Sequence, residues 1–359
     1  RMQSYTGQTR RITAALQRLS DAGERLNVSE PRGPAERHPS LPGDTPVSLR
    51  TVISVTDQQL DEKSSYALHA LAVFPPKPNS FSEEAALAVS GCTVETLDLL
   101  NDTGLLETSG SDRYTLHQTI ADYSRTQLKE YSARERLVVY ITNFVELHRK
   151  DYEILEGESN NILAALEAAV ELARYAELIR TACAFAPFLL SRGLYQTAER
   201  HLQRAYNSAM AQNDSYGLAS TLLYLGERSQ KQGDYEQAEK YLLEGLGYAR
   251  GIGDNERVCA ILANLGTVRW KSGDYKQAED YLQEGLGLAR ELNNLERISG
   301  LVTTLGSVNT RQGNYALADV YLQEGLDIAR KIEDREQICT ILIILAVIVG
   351  EQANYEQSK

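Results

Sequence analysis

In the second half of the chain, apolar residues recur at three- and four-residue spacing and then stop at a glycine. Between Asp254 and Lys271, the positions Val258, Ile261, Leu262, Leu265 and Val268 fall on one helical face, the pattern of a helix that buries a stripe. Gly273 interrupts the run, as a glycine just beyond a helix C-terminus does. A second stripe, Ala278, Leu282, Leu286 and Ala289, predicts a helix from about Tyr275 to Arg290. The pair then repeats. Gly233-Asp234-Tyr235, Gly273-Asp274-Tyr275 and Gly313-Asn314-Tyr315 stand forty residues apart, and Gly193-Leu194-Tyr195 and Ala353-Asn354-Tyr355 carry the register in both directions. Leu225-Gly226, Leu265-Gly266, Leu305-Gly306 and Leu345-Ala346 keep the same step. A fixed step of this length predicts a solenoid of stacked helix pairs. Small residues (Gly266, Ala278, Gly285) let the paired helices approach closely, and the Tyr that opens each second helix offers a ring to pack and a hydroxyl to keep wet.

The first half follows a different pattern. An amphipathic stretch (Ile12, Leu16, Leu19, Leu26) precedes a proline-rich connector from Pro31 to Pro46. Apolar spacing predicts helices over Leu49–Leu60, Tyr66–Phe74 (stopped by Pro75-Pro76) and Ser82–Val89. A fourth, capped by Thr93, runs to Asp102 with Val94, Leu97 and Leu100 on one face. Leu105–Thr108 and Arg113–Leu116 read as a hairpin around Ser109-Gly110-Ser111, followed by a helix from about Gln118 to Tyr131. Helices followed by a two-stranded wing is the order of a winged-helix domain. In such domains the helix before the wing enters the DNA major groove. Here that helix offers Glu95, Asp98 and Asp102 and no Lys or Arg, with Arg113 alone on the wing. Three carboxylates facing phosphates are repelled, so this domain reads as a protein-contact module.

Composition supports that reading. Lys and Arg number 37 against 49 Asp and Glu, a formal charge of -12, which disfavours nucleic acid and anionic membrane as partners. A chain of 359 residues exceeds one ordinary core and implies more than one domain. Cys92, Cys183, Cys259 and Cys339 are far apart, fit neither a disulfide framework nor a zinc site, and point to the cytoplasm. Cys259 and Cys339 share a column with Ala219 and Ser299, a slot for a small side chain. The N-terminus has no apolar core of signal-peptide length, and Ile338 to Val349 is about half of the ~20 residues needed to span a bilayer. The chain reads as a piece of something longer.

The repeat columns resemble the tetratricopeptide repeat: Leu262, Leu265-Gly266, Gly273-x-Tyr275, Ala278, Leu282 and the small Gly285 match its alternation of large and small residues. The unit is forty residues where about 34 is usual, and the second helix lacks a terminal proline. A second resemblance lies upstream. Leu49, Val52, Ile53 and Val55, then Leu68-x-Ala70-Leu71-Ala72-Val73-Phe74-Pro75, Leu97-x-x-Leu100-x-x-x-Gly104-Leu105-Leu106 and Arg113-Tyr114-x-Leu116-His117 are similar to the winged-helix part of NB-ARC ATPases, of the STAND class. The stretch from Glu156 to Leu166, with Glu158, Asn161 and Ala165-Leu166, resembles the junction from winged helix to repeats in bacterial members.

These resemblances imply a mainly α chain in four parts: the tail of a preceding helical domain and its connector (1–48), a winged-helix domain with a small β-hairpin wing (49–135), a helical junction (136–192), and an α-solenoid of tetratricopeptide-like pairs, truncated at its C-terminus (193–359). They also imply that His117 reaches the β-phosphate of ADP in a resting state, once the upstream ATPase domain is present. The family motif often continues with Asp, where this chain has Gln118. ADP or ATP is therefore a cofactor of the parent protein and not of this fragment.

No G-x-x-x-x-G-K-[ST], HExxH, GxSxG or GxGxxG occurs in the sequence, so phosphoryl transfer lacks its loop and lysine, and the chain is not expected to be an enzyme. The leading expectation is the regulatory, signal-sensing portion of a STAND switch whose repeats bind a protein, peptide or small molecule on their concave face, with oligomerisation of the parent. The candidate contacts are Tyr224, Glu227, Asn264, Thr267, Trp270, Lys271, Thr304 and Ser307 on first helices, although a half-buried Trp such as Trp270 is more often packing. The alternatives are a scaffold or adaptor without nucleotide coupling, and the sensor of a transcription regulator whose DNA-binding domain lies elsewhere.

Overall fold

The first two described helices begin where a small polar side chain takes a free backbone N–H. The computed structural model describes residues 26, 48–128 and 131–357, and the expected domain tail and proline-rich connector fall almost entirely outside the described residues. The chain divides into two compact units, 1–181 and 182–359.

In the first unit, α1 (Leu49–Asp57) is capped by Ser48 Oγ, which accepts from Thr51 N at 3.2 Å. α2 (Glu62–Leu71) is capped by Asp61, which accepts from Ser64 N at 2.8 Å. α2 thus starts four residues before the expected Tyr66, because its first turn is polar and a cap, not an apolar stripe, begins it. β1 (Phe81–Ser82) leads into α3 (Glu83–Ser90), then α4 (Val94–Asp102), β2 (Glu107–Thr108) and β3 (Arg113–Thr115). Thr93 occupies the cap position of α4, but its side chain accepts no helix N–H, so the expected cap bond is not made. β2 and β3 pair antiparallel and are shorter than expected. β1, too short to show alternation, adds a third strand in the order β1-β3-β2, with Phe81 opposite Tyr114. α5 (Gln118–Gln127), α6 (Ser132–Leu147) and α7 (Tyr152–Glu171) follow; α5 ends four residues before the expected Tyr131.

Leu68, Leu71, Leu97, Leu100 and Leu116 are fully buried in this unit, as are Phe74 and Phe81, whose rings stack at 4.3 Å. Two buried polar networks tie elements together. Asp57 accepts from Ser65 Oγ (2.7 Å), Tyr123 Oη (2.8 Å) and His69 Nε2 (3.0 Å), joining α1, α2 and α5. Glu158 and Asn161 of α7 hold the sheet: Arg113 Nη1 lies 2.6 Å from Glu158 Oε1, and Asn161 Nδ2 donates to Ser80 O at 2.9 Å. Both α7 residues are buried, and burial without these partners would be costly.

The division between units falls within α8 (Tyr175–Ser191). The pairs continue through α9 (Tyr195–Gln212), α10 (Ser215–Lys231), α11 (Tyr235–Gly251), α12 (Asn255–Lys271), α13 (Tyr275–Glu291), α14 (Leu295–Arg311) and α15 (Tyr315–Lys331). Within pairs, the chain turns at a left-handed Gly193, Gly233, Gly273 or Gly313, a conformation that glycine adopts without Cβ strain. Between pairs the left-handed residue is Asn213, Gly253, Asn293 or Glu333. Ala173 takes the same conformation forty residues before Asn213, so the step reaches back past residue 193.

Close approach within pairs depends on one column. A Cβ built on Gly226, Gly266 or Gly306 would lie 2.5–2.6 Å from Cγ of Leu242, Leu282 or Leu322. The slot shared by Ala219, Cys259 and Ser299 is buried, and Cys259 Sγ and Ser299 Oγ donate to the carbonyls of Gly285 and Gly325, which agrees with a packing role. Ion pairs stitch successive repeats: Arg228–Glu199 and Arg269–Glu239 join a first helix to the second helix before it, and Arg250–Glu284 (2.5 Å) and Arg290–Glu324 (2.7 Å) join successive second helices.

The last helix departs from expectation. α16 (Arg335–Gln357) runs unbroken through Ala353-Asn354, where the register predicts a turn. Ala353 replaces the glycine that turns the other repeats, so nothing there favours a left-handed residue. On this helix Leu342, Ile343, Val347 and Val349 are exposed, whereas Val302 and Leu262, in the column of Leu342, are fully buried.

Candidate functional site

The candidate residues belong to two separate places. His117 lies in the first unit, two residues after β3, at the N-cap of α5 and exposed. Its Nδ1 accepts from Thr119 N at 3.3 Å and lies 2.9 Å from Thr119 Oγ1. A ring nitrogen that accepts a backbone N–H carries no proton, so the neutral ring keeps its proton on Nε2, as a donor. The neighbouring Gln118 Nε2 donates to Asp122 Oδ1 at 3.0 Å.

The same unit holds a cavity of about 410 Å³ lined by Arg125, Leu128, Tyr131, Arg134, Glu167 and Glu171 among others. Its charged walls are engaged: Arg134 pairs with Glu171 at 2.7 Å, and Arg125 donates to the carbonyls of Ala72 and Phe74. None of the candidate site residues named from the sequence lines it.

In the second unit, first-helix residues spaced three and four apart share a face. On α10 this face carries Tyr224, Glu227 and Lys231; on α12, Arg257, Asn264, Thr267 and Lys271; on α14, Arg297, Thr304, Ser307 and Arg311. The expected contacts thus occupy equivalent positions on successive first helices, Trp270 excepted. Trp270 is half-buried and packs against the buried cluster that includes Leu282, Val302 and Leu305. Lys271 Nζ sits 5.5 Å from the centre of its ring.

The hydroxyls of this face are turned onto their own helices. Thr267 donates to Ala263 O (2.8 Å), Thr304 to Gly300 O (3.0 Å) and Ser307 to Thr303 O (3.0 Å), while Asn264 Nδ2 donates to Ala260 O (3.1 Å). What they offer outward is lone pairs. On α10, burial first, and then the nearby Cys183 and Glu227, push the Tyr224 phenol up to about 12. Burial likewise raises Glu227 above the ordinary glutamate value against the pull of Lys231, 3.9 Å away, and of Arg297. Burial drives the Cys183 thiol up to about 12, so it is not a nucleophile at neutral pH.

Sequence reasoning missed Arg257 and Arg297. Arg257 lies 4.0 Å from the centre of the Tyr216 ring and pairs with Asp254, whereas Arg297 has no ion-pair partner among the described residues. The signal was available, since both occupy the third position of their helices in one column with Gly217 and Gln337. Among the described residues no cluster of His, Cys, Asp or Glu could hold a metal ion, and no helix is long and apolar enough to cross a membrane.

A tetratricopeptide-repeat family model matches residues 217–291, and that of anaphase-promoting complex subunit 5 matches 266–352. No curated protein matches the chain in sequence. Among solved structures, aspartyl phosphate phosphatase F from Bacillus subtilis is similar at TM-score 0.54 and 10% identity, over 86% of this chain and 76% of its own. The Rap conjugation gene regulator of plasmid pLS20, solved with a Phr peptide, is similar at TM-score 0.50 and 14% identity, over 83% and 80%. A STAND protein with a tetratricopeptide repeat sensor from Pyrococcus horikoshii is similar at TM-score 0.44 and 16% identity, over 97% of this chain; the chain spans 61% of that protein's length. The forty-residue pairs are tetratricopeptide repeats stacked in a helical solenoid.

Proposed function

We propose that this chain is the regulatory and signal-sensing portion of a STAND-class ATPase switch. In this reading α1 to α5 and the β2–β3 hairpin form its winged-helix domain, with β2 and β3 as the wing. His117 carries the proposal: it is exposed, follows directly from the hairpin, and has Nδ1 committed to Thr119, so that Nε2–H is free to donate. A donor held in this way suits a phosphate oxygen, and its contribution depends on which nucleotide is present. The ATPase machinery lies outside this sequence, and the chain holds ADP only with that domain.

The repeats take the signal. The Rap regulator of similar fold was solved with a peptide, and the first-helix face of this array presents polar groups in register, so we assign it a protein or peptide partner. Binding switches the parent only if the partner prefers the open state, because equal affinity for both states shifts nothing. The test is ADP content after purification of the chain fused to its ATPase domain. Wild type retains ADP and His117→Ala releases it; retention unchanged in the mutant removes the latch. A scaffold without nucleotide coupling, or the sensor of a transcription regulator, is then what remains, and the array's partner surface is common to all three.

A further inference from the structure

The place of His117 is fixed by the chain just before it. Thr115 Oγ1 donates to Asn79 O at 2.6 Å, and Lys77 N donates to Leu116 O at 2.9 Å. The two residues that lead from β3 into His117 are thus both held by the segment 77–80. Thr115 and Leu116 are buried and His117 is exposed, so the backbone is anchored in the core while the ring is delivered at the surface. On its other side His117 is committed to α5, where Ala121 N donates to His117 O at 3.0 Å.

Segment 77–80 is tied in turn to two residues one turn apart on α7. Asn79 Nδ2 donates to Asn161 Oδ1 at 2.7 Å, and Asn161 Nδ2 donates to Ser80 O at 2.9 Å and to Glu158 Oε2 at 2.6 Å. The other oxygen of Glu158 takes Arg113 Nη1 at 2.6 Å, and Arg113 Nε and Nη2 donate to Ser80 Oγ and Ser80 O at 2.9 and 3.0 Å. Asn161 is fully buried, with both hydrogens and the oxygen of its amide engaged. An apolar side chain would fill such a place with less desolvation. What a saturated polar network adds is a single arrangement of its members, and here the members are those that carry His117.

We propose that Asn161 and Glu158 are positioning residues for His117. Through Asn79, Ser80 and Arg113 they fix segment 77–80 and β3, and so set where the imidazole presents Nε2–H. They act through the bonds at Thr115 and Leu116, not on the ring itself. This rests on the reading of His117 as the nucleotide latch and adds the residues that aim it.

Nitrogen NMR of the full chain labelled in histidine tests it, with the His117 signals identified by their loss in His117→Gln. At about pH 8, above the ordinary histidine range, the wild-type ring is expected as one tautomer with its proton on Nε2. Asn161→Leu keeps the bulk and removes every bond of the amide. It is expected to move the His117 signals towards the averaged tautomers of an unheld histidine and to speed exchange of the Lys77 amide roughly tenfold, the order of one lost hydrogen bond. Asn161→Asp, which sets a second carboxylate against Glu158, does the same; adding Glu158→Gln leaves one negative charge on the pair and restores both readouts. Thr142→Val removes a buried hydroxyl bond to Thr181 (2.8 Å) elsewhere in this unit, and is expected to lower stability with His117 unmoved. Should Asn161→Leu not fold, Asn79→Ala, which leaves α7 intact, serves in its place. His117 signals and Lys77 exchange that stay at wild-type values, or that shift as far in Thr142→Val, overturn the proposal. ADP content of the fused protein decides the latch separately. Release by His117→Ala beside an unmoved ring in Asn161→Leu keeps the latch and removes the positioning; a moved ring beside ADP retained in His117→Ala keeps the positioning and removes the latch.

Discussion

Leu282 occupies the space that a side chain on Gly266 would need: a Cβ there would lie 2.5 Å from Leu282 Cγ. The same relation links Gly226 to Leu242 and Gly306 to Leu322, so the repeat is built around a contact that only a hydrogen can make. Leu282 is fully buried and branched at the point of contact, and moving it disturbs the cluster with Val302 and Leu305.

Gly266→Ala is therefore expected to destabilise the array by about 1–3 kcal/mol, the usual range for overpacking. Gly287→Ala, on the exposed side of α13 with nothing within 4 Å of its Cβ, is expected to stabilise by about 0.5–1 kcal/mol through helix propensity. Urea denaturation followed by Trp270 fluorescence reads both, because the single Trp packs in this cluster. Equal signs for the two substitutions would refute the close-contact account.

In the first unit, removing one side of the Glu158–Arg113 pair leaves the other without its charge partner. Glu158→Ala is expected to cost about 3–5 kcal/mol, as for a broken buried pair, and replacing both residues together to cost less than the sum. Hydrogen exchange of α7 amides reports the loss. Full additivity in the double variant would show that the pair is not coupled.

Acid and alkali should loosen the Asp57 network from opposite sides. Burial would raise the Asp57 carboxyl, but the bonds from His69, Ser65 and Tyr123 hold it below its ordinary 3.8. Its stabilisation is thus present above 3.8 and lost as pH falls through the lower folded value. Tyr123, pushed by burial and then by Asp57 up to about 12 from 10.0, stabilises below 10 and loses that contribution as pH rises towards 12. The gap in stability between wild type and Asp57→Asn should narrow on the acid side, and Tyr123→Phe should flatten the alkaline limb; because Tyr123 lowers Asp57 and Asp57 raises Tyr123, each substitution also weakens the other group's dependence. Stability-against-pH curves of the three proteins, followed by exchange of α1 and α5 amides, decide this.

Glu227 should carry the opposite signature. Its carboxyl is raised above the ordinary 4.5 by burial, so its charged form costs stability at neutral pH, and the cost disappears as pH falls below 4.5. Glu227→Gln is expected to raise the Tm at pH 7 and to leave it unchanged near pH 3.5. A residue kept at such a cost fits a binding face, and a lowered Tm at pH 7 would contradict the burial account.

The solenoid was legible because its cause is local and repeated. The Leu-Gly and Gly-x-Tyr columns recur at a forty-residue step that chance does not produce, and each encodes a contact or a turn within one pair. The hairpin was legible in outline for the same reason, through Ser109-Gly110-Ser111. β1 was not, because two residues show no period and become a strand only when β3 lies beside them. The start of α2 was hidden because a cap, not a stripe, sets it.

The sequence by itself determined the repeat length, the helix pairing, the small-residue columns and the position of His117 at a strand end, all consequences of spacing along the chain. Tertiary structure alone decided that Trp270 packs against a buried cluster, that the hydroxyls of the first-helix face spend their hydrogens on their own helices, and that Arg297 makes no ion pair among the described residues while Arg257, in the same column, pairs with Asp254. Those outcomes depend on which side chains from helices forty residues apart come within hydrogen-bonding range, and spacing along one helix carries no information about them.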